Sequence, residues 1–294
     1  MSDDMKTGLI GLGIMGSRIS ANLSQAGMLN EVYDRKTDKA ADLSKKYGIK
    51  YEEKIENMVK NNDVIITVLY NDDSVNDVYE RLIPYSSKKI FIDMSTISPE
   101  TSISISDEIR EHEGLMYDAP VIGTSVMVEK KTVNILVGGD HSHFPDVKNI
   151  LEKTSANVIY IGNNGYGLYA KIMNNLFLGS YMATLAESFT FGQMMGLDDK
   201  TISEIFLKFS NVRSPTSELK VPKITNGDYS VQFSVKNMLK DLEIAQEEGR
   251  RHNIYLPESA IGSQLFRAAM ASGYGDEDMA AVFKIYKSFA GKKN

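Results

Sequence analysis

Residues 6–16 read KTGLIGLGIMG, an apolar run that ends in Gly11-Leu12-Gly13-Ile14-Met15-Gly16. Before the glycines, Lys6–Gly11 has the length and composition of a short buried strand. After them, Ile14–Ala26 reads as a helix, and Gly27 follows it where a left-handed residue costs least. A G-x-G-x-x-G between strand and helix matches a dinucleotide-binding turn. Gly11 permits the tight turn, Gly13 lets the backbone approach a pyrophosphate, and Gly16 lets helix and strand pack closely. The helix start would face the phosphates with free N–H groups and a positive dipole end. The six residues from Gly11 to Gly16, with Leu12, Ile14 and Met15 among them, are candidate cofactor contacts.

A second strand follows at Glu31–Asp34. Asp34 stands where a carboxylate accepts bonds from the adenosine ribose hydroxyls, which favours NAD. Arg35 and Lys36 come next, and a basic side chain there can hold the 2′-phosphate of NADP. Both cofactors remain open on this pattern, with Asp34 inclining it towards NAD; a solvated turn also accounts for Arg35 and Lys36.

Further strands are expected at Val64–Leu69, Lys89–Asp93, Leu115–Ala119, Thr132–Val137 and Asn157–Ile161, with a helix over Pro99–Glu113 capped by Ser98. Strands alternating with helices imply a doubly wound parallel sheet, a Rossmann-type α/β half. The pattern changes near Gly162. From Gly165 to Met195 small and apolar residues occupy most faces, as in a helix buried nearly all round. More helices are expected at Lys200–Phe209, Val235–Asn253, Pro257–Ser272 and Asp276–Phe289. The expected organisation is a dinucleotide-binding domain over 1–162 and an all-α domain over 163–294.

Composition excludes several classes. The 294 residues include no cysteine, so disulfides, thiolate nucleophiles, zinc fingers and iron–sulfur clusters are ruled out. That suits a reducing compartment, and a cytoplasmic protein is expected. A net charge of −6 gives no electrostatic reason to expect nucleic acid or an anionic membrane as partner. The opening MSDDMKTGLI is acidic, unlike a secretion signal, and the apolar stretch Ile172–Ala186 is interrupted by Asn174 and Asn175 and is too short to span a bilayer. Four scattered histidines offer no metal-ligand spacing, so no metal is expected.

Lys171 and Asn175 lie four apart and share one face of the long helix. A lysine on an apolar helix at a domain junction requires a partner or a function, because burying an ammonium costs several kcal/mol. A lysine reaching back to water, with Asn175 satisfied by backbone, is the plainer alternative.

Together these residues form a pattern that resembles the β-hydroxyacid dehydrogenase family, the group of 3-hydroxyisobutyrate dehydrogenase, tartronate semialdehyde reductase and 6-phosphogluconate dehydrogenase. The resemblance covers essentially the whole chain. It rests on GLIGLGIMGSRISANL (Gly8–Leu23), FIDMSTISPET (Phe91–Thr101), DAPVIGT (Asp118–Thr124), GYGLYAKIMNN (Gly165–Asn175) and KDLEIAQEEG (Lys240–Gly249). It implies a nucleotide-binding domain, a long interdomain helix and a helical domain that forms dimers or tetramers. It implies Lys171 as the catalytic lysine and Asn175 as the asparagine that orients the substrate. It places Ser95 and Thr96 by the nicotinamide, Val68–Asn71 with Leu69 and Tyr70 in the cofactor loop, and Lys240 and Asp241 near substrate and cofactor. Tyr70 stands where the family usually has proline. The family's substrate loop usually carries a serine where this chain reads Ile122-Gly123-Thr124, and Ile122 cannot donate to a carboxylate. Thr124, Ser125 or backbone N–H groups are the available substitutes.

The implied reaction oxidises a small 3-hydroxy acid with NAD or NADP, or reduces its semialdehyde, with Lys171 managing the proton. Burial would have to lower an ordinary lysine pKa for it to act as a base. The alternatives are a 6-phosphogluconate dehydrogenase-like enzyme drawing on Arg250, Arg251 and His252, an imine-reductase-like enzyme, or a non-catalytic dinucleotide-binding module. Lys171 argues against the last two.

Overall fold

The computed structural model describes residues 5–290, so the acidic opening Met1–Asp4 lies outside the described residues. The first half runs β1 (Thr7–Ile10), α1 (Ile14–Gln25), β2 (Glu31–Tyr33), α2 (Thr37–Tyr47), β3 (Lys50–Tyr51), α3 (Ile55–Asn61), β4 (Val64–Thr67), α4 (Asp72–Leu82), β5 (Ile90–Asp93), α5 (Pro99–Glu111) and β6 (Leu115–Asp118). It continues through β7 (Val121–Ile122), α6 (Ser125–Glu129), β8 (Asn134–Gly138), α7 (Phe144–Leu151) and β9 (Asn157–Gly162).

These strands form one nine-stranded sheet in the order β3-β2-β1-β4-β5-β6-β8-β7, with β9 paired to β8. From β3 to β6 all pairings are parallel. The doubly wound parallel sheet expected from the sequence is extended at this edge by antiparallel pairing: β6 and β7 both pair antiparallel with β8, and β9 pairs parallel with β8. The cause is local. The short chain from β7 through α6 to β8 closes an antiparallel pair, whereas parallel neighbours need a longer crossover.

The central strands are buried along their whole length and mostly apolar, as expected where both faces are covered. Successive residues point to opposite faces, so Val64 and Ile66 enter one core with Leu9, Ile19 and Val32. Ile65 enters the other with Ile10, Tyr79 and Phe91. The strand order reverses between β1 and β4, and the loops after these two strands lie at that switch point, where open α/β sheets bind ligands.

Ser98 occupies the N-cap position of α5 as expected, but its side chain does not cap. The second half holds α8 (Tyr166–Met194), α9 (Asp199–Glu204), α10 (Pro215–Asn226), α11 (Val235–Arg251), α12 (Pro257–Ala271) and α13 (Val282–Phe289). Its core gathers Phe189, Val221, Met238, Leu242, Phe266 and Phe283. The chain divides into two compact units between Lys171 and Ile172, inside α8. The first turns of α8 belong with the sheet because Leu168 is buried in its core. The expectation that α8 is buried all round is corrected: Met173, Phe177 and Phe191 leave an exposed apolar stripe, with Phe177 72% exposed.

Candidate active site

The glycine loop has the geometry that its spacing implies. Gly11 has φ +98°, and a Cβ there would lie 2.4 Å from the Val68 carbonyl oxygen. A Cβ on Gly16 would lie 1.9 Å from the Gly11 carbonyl oxygen, so only glycine lets α1 sit this close to β1. Gly13 is different. It is the N-cap of α1, it is exposed, and a Cβ there would meet nothing within 4 Å. Beside it Ile14 is exposed, and the first turn of α1 carries no acidic residue. An open backbone approach onto uncompensated N–H groups fits a dinucleotide pyrophosphate. The two glycines therefore separate experimentally. Gly13→Ala should weaken cofactor binding in a titration while leaving the melting temperature unchanged. Gly16→Ala should lower both, because the loop itself must move. A Gly16→Ala variant as stable as the wild type would contradict this packing.

Asp34 staples the loop. One carboxylate oxygen accepts the Leu12 N–H at 2.6 Å and the other accepts the Lys36 N–H at 2.8 Å. The carboxylate is thus fixed at the end of β2, while Arg35 and Lys36 are exposed beside it. Met15 is half-buried against the adjoining core.

Ser95 is buried and turned inward. Its hydroxyl donates to Asp93 at 2.6 Å and accepts the Leu69 N–H at 2.8 Å, so it ties the end of β5 to the loop after β4. Asp93 also accepts from Thr67 at 2.7 Å, and Thr67 bonds the Tyr79 hydroxyl at 3.0 Å. Burial pushes the Asp93 carboxyl up from the ordinary range. Ser95 therefore holds the loop in place; Thr96 beside it is half-buried and Tyr70 on the loop is exposed. Asp93, Thr67 and Tyr79 were not singled out from the sequence, although a carboxylate ending an apolar strand was a visible signal.

Lys171 is buried, and its Nζ donates to the Val121 carbonyl at 2.8 Å. Ile122, Gly123 and Thr124 follow directly on Val121. Ile122 and Thr124 are half-buried, and Gly123 has φ +142°, where a Cβ would strike the Val133 side chain at 2.7 Å. Thr124 is the N-cap of α6, yet its hydroxyl makes no capping bond.

The helical unit supplies a second group. Asn175 donates its amide N–H to Asp241 at 2.6 Å and accepts from the Asn174 amide at 3.0 Å. Asp241 only accepts, so it fixes which end of the Asn175 amide carries the donor. Lys240 Nζ lies 2.9 Å from the other Asp241 oxygen. Asn175, Lys240 and Asp241 are thus one cluster, and Lys171 shares the Asn175 face of α8 four residues earlier. Arg250, Arg251 and His252 do not join it; they pair with Glu247 and Glu248 on their own helix. Among the described residues no group of three or more His, Asp or Glu is placed to hold a metal ion.

Known proteins with the same architecture were found across the whole chain. A family profile described as the NAD binding domain of 6-phosphogluconate dehydrogenase matches residues 6–162. A second, described as the NAD-binding domain of NADP-dependent 3-hydroxyisobutyrate dehydrogenase, matches residues 165–286. The chain is 33% identical to the 2-(hydroxymethyl)glutarate dehydrogenase of Eubacterium barkeri, over 99% of this chain and 98% of that protein. It is 30% identical to the mitochondrial 3-hydroxyisobutyrate dehydrogenase of Drosophila melanogaster, over 95% and 89%. The solved structure of Mycobacterium tuberculosis 3-hydroxyisobutyrate dehydrogenase with L-serine superposes with a TM-score of 0.86 at 26% identity, covering 96% of this chain and 98% of that one. With its glycine turn, its sheet and its two matched halves, the chain belongs to the β-hydroxyacid dehydrogenase family, the NAD(P)-dependent oxidoreductases that act on small hydroxy acids.

Proposed function

We propose that this enzyme oxidises an acid of the form HOCH2–CHR–COO⁻ to its semialdehyde, or reduces that semialdehyde, with Lys171 as general acid–base. The observation that carries the reading is the burial of Lys171 with its Nζ anchored on Val121, on the same helix face as Asn175. The named relatives support the substrate form. 3-Hydroxyisobutyrate and 2-(hydroxymethyl)glutarate both carry a hydroxymethyl group next to a carboxylate and differ in R.

The nicotinamide, when bound, supplies hydride transfer at the carbinol carbon. The protein moves the proton. In oxidation neutral Lys171 Nζ takes the hydroxyl proton; in reduction its ammonium returns it. The Asn175 amide, oriented by Asp241, fixes the hydroxyl without changing the proton count. Lys240, next to Asp241, is assigned to substrate carboxylate and cofactor. Thr124, with its hydroxyl not spent on α6, and backbone N–H groups around Gly123 take the role that Ile122 cannot.

We assign cofactor binding to the domain over 1–162, through Gly11–Gly16, Asp34, Leu69, Tyr70 and Thr96, with Ser95 placing the loop. Assembly falls to 163–294, and substrate binding draws on both stretches, through Ile122, Gly123 and Thr124 of the first and Lys171, Asn175, Lys240 and Asp241 of the second. The exposed stripe of Met173, Phe177 and Phe191 supports a homodimer or homotetramer. The absence of cysteine supports a cytoplasmic setting, and the acidic charge supports small-molecule partners over nucleic acid or membrane. Among the described residues no helix is long and apolar enough to cross a membrane.

Asp34 favours NAD, and a cofactor assay tests this. With either acid as substrate, kcat/KM should be higher with NAD than with NADP. Asp34→Ser should move the ratio towards NADP, because the carboxylate that repels a 2′-phosphate is gone while Arg35 and Lys36 remain. A wild type that prefers NADP would assign the decisive role to Arg35 and Lys36. Arg250 and Arg251 pair with Glu247 on their own exposed helix face, which supports a solvated surface over a phosphate site for this basic run.

A further inference from the structure

Helix α8 begins without a side-chain cap of its own. The residue before its first turn is Gly165, which has φ +88° and no side chain to accept the unpaired N–H groups. The acceptor comes from elsewhere in the sequence. Asp118, the last residue of β6, accepts the Gly165 N–H at 2.7 Å through one oxygen and the Leu168 N–H at 2.8 Å through the other. The space for this carboxylate is made by two more glycines. A Cβ on Gly138 would lie 2.5 Å from one Asp118 oxygen, and a Cβ on Gly167 would lie 2.8 Å from the other. Three residues beyond Asp118, the Val121 carbonyl accepts the Lys171 Nζ. One four-residue segment, Asp118-Ala119-Pro120-Val121, thus grips α8 twice, by its first backbone N–H groups and by its lysine.

We propose that Asp118 is a positioning residue for Lys171: by fixing the first turn of α8 against β6 it sets where the lysine nitrogen stands. The proposal rests on Lys171 being the acid–base group. Leu168 and Lys171 are one helical turn apart, so a shift at the capped N–H is carried to the lysine with little attenuation. The carboxylate is suited to this because it is fully buried and both its oxygens are engaged by backbone. Asparagine is nearly isosteric but offers one acceptor and turns an N–H against an N–H. Alanine offers none.

The experiment is a double-mutant cycle, with single-turnover rates on 3-hydroxyisobutyrate and 2-(hydroxymethyl)glutarate and a cofactor titration for each variant. Displacement of a reacting group by an ångström costs up to about 100-fold in rate. Asp118→Asn should therefore lower kcat by roughly tenfold, and Asp118→Ala by more. KM and cofactor affinity should stay near wild type. In the Lys171→Ala background Asp118→Asn should change nothing further, because the group it positions is gone. An Asp118→Asn protein with wild-type kcat, or one that loses the same factor with and without Lys171, overturns the proposal. If Asp118→Ala does not fold, the isosteric Asn variant carries the whole comparison. If Lys171→Ala alone keeps wild-type turnover, the acid–base reading fails instead, and the two failures are distinguished.

Discussion

Lys171→Ala should reduce kcat by about 100- to 10,000-fold, the range that a positioned general acid–base contributes, and leave cofactor affinity almost untouched. The separation follows from placement. Lys171 lies on α8 and bonds Val121, whereas the phosphate cradle is the turn between β1 and α1. Lys171→Arg should not restore oxidation. A guanidinium keeps the charge but does not become neutral in the working pH range, so it cannot accept the hydroxyl proton. Steady-state kinetics on both substrates, with a fluorescence titration of the cofactor, reads the two quantities independently. Loss of cofactor affinity in parallel with kcat would make Lys171 a structural residue.

The second large effect concerns stability. Asp278→Ala should destabilise the protein by about 3–5 kcal/mol, because it strands a buried charge. Lys220 is almost completely buried and bonds both Asp278 oxygens at 2.8 and 2.9 Å. Burial pulls the Lys220 pKa below its usual value, and the Asp278 carboxylate opposes that pull. Asp278 also accepts the N–H groups of Gln232, Phe233 and Ala280. Through Phe233, and Val235 two residues on, whose N–H donates to the Glu277 carbonyl at 2.9 Å, it fastens the start of α11, the helix that carries Lys240 and Asp241. The double variant Asp278→Ala/Lys220→Met should recover part of the loss, since it removes the stranded ammonium as well. Urea midpoints of the two proteins check this. A single variant within about 1 kcal/mol of wild type, the range of an exposed pair, would show that water reaches this site.

The strands and the glycine turn were legible because their signals are dense. Val64, Ile65 and Ile66 are apolar on both faces, and Gly16 is required by a contact of backbone on backbone. Helices with a narrow buried stripe were not legible. Thr37–Tyr47 buries only Ala40 and Leu43 among its polar residues, and no apolar period stands out there. Pro215–Asn226 contains Pro222 and buries Lys220 and Lys223, which by composition belong on a surface. The two-residue strand Val121–Ile122 was not legible, because it is defined only by its pairing with the strand expected at Thr132–Val137, which no local pattern carries.

The lysine, the asparagine and the K-D pair were candidates from the sequence, and the structure adds the groups that hold them. Asp241, expected only near substrate and cofactor, bonds and orients Asn175. Ser95 holds a loop through Asp93, and Asp118 caps a helix through Gly165, 47 residues later in the chain. Such supporting groups are invisible in a linear reading, because their partners are brought to them only by the fold.

In the proposed reaction hydride passes directly from the hydroxymethyl carbon of a small acid to a nicotinamide cofactor. The most direct measurement supplies 3-hydroxyisobutyrate and 2-(hydroxymethyl)glutarate, each deuterated at that carbon, with NAD and NADP in ordinary water. Reduced cofactor that carries the deuterium is expected, with the corresponding semialdehyde as product. No reduced cofactor from either acid, or reduced cofactor whose new hydrogen came from water, would contradict it.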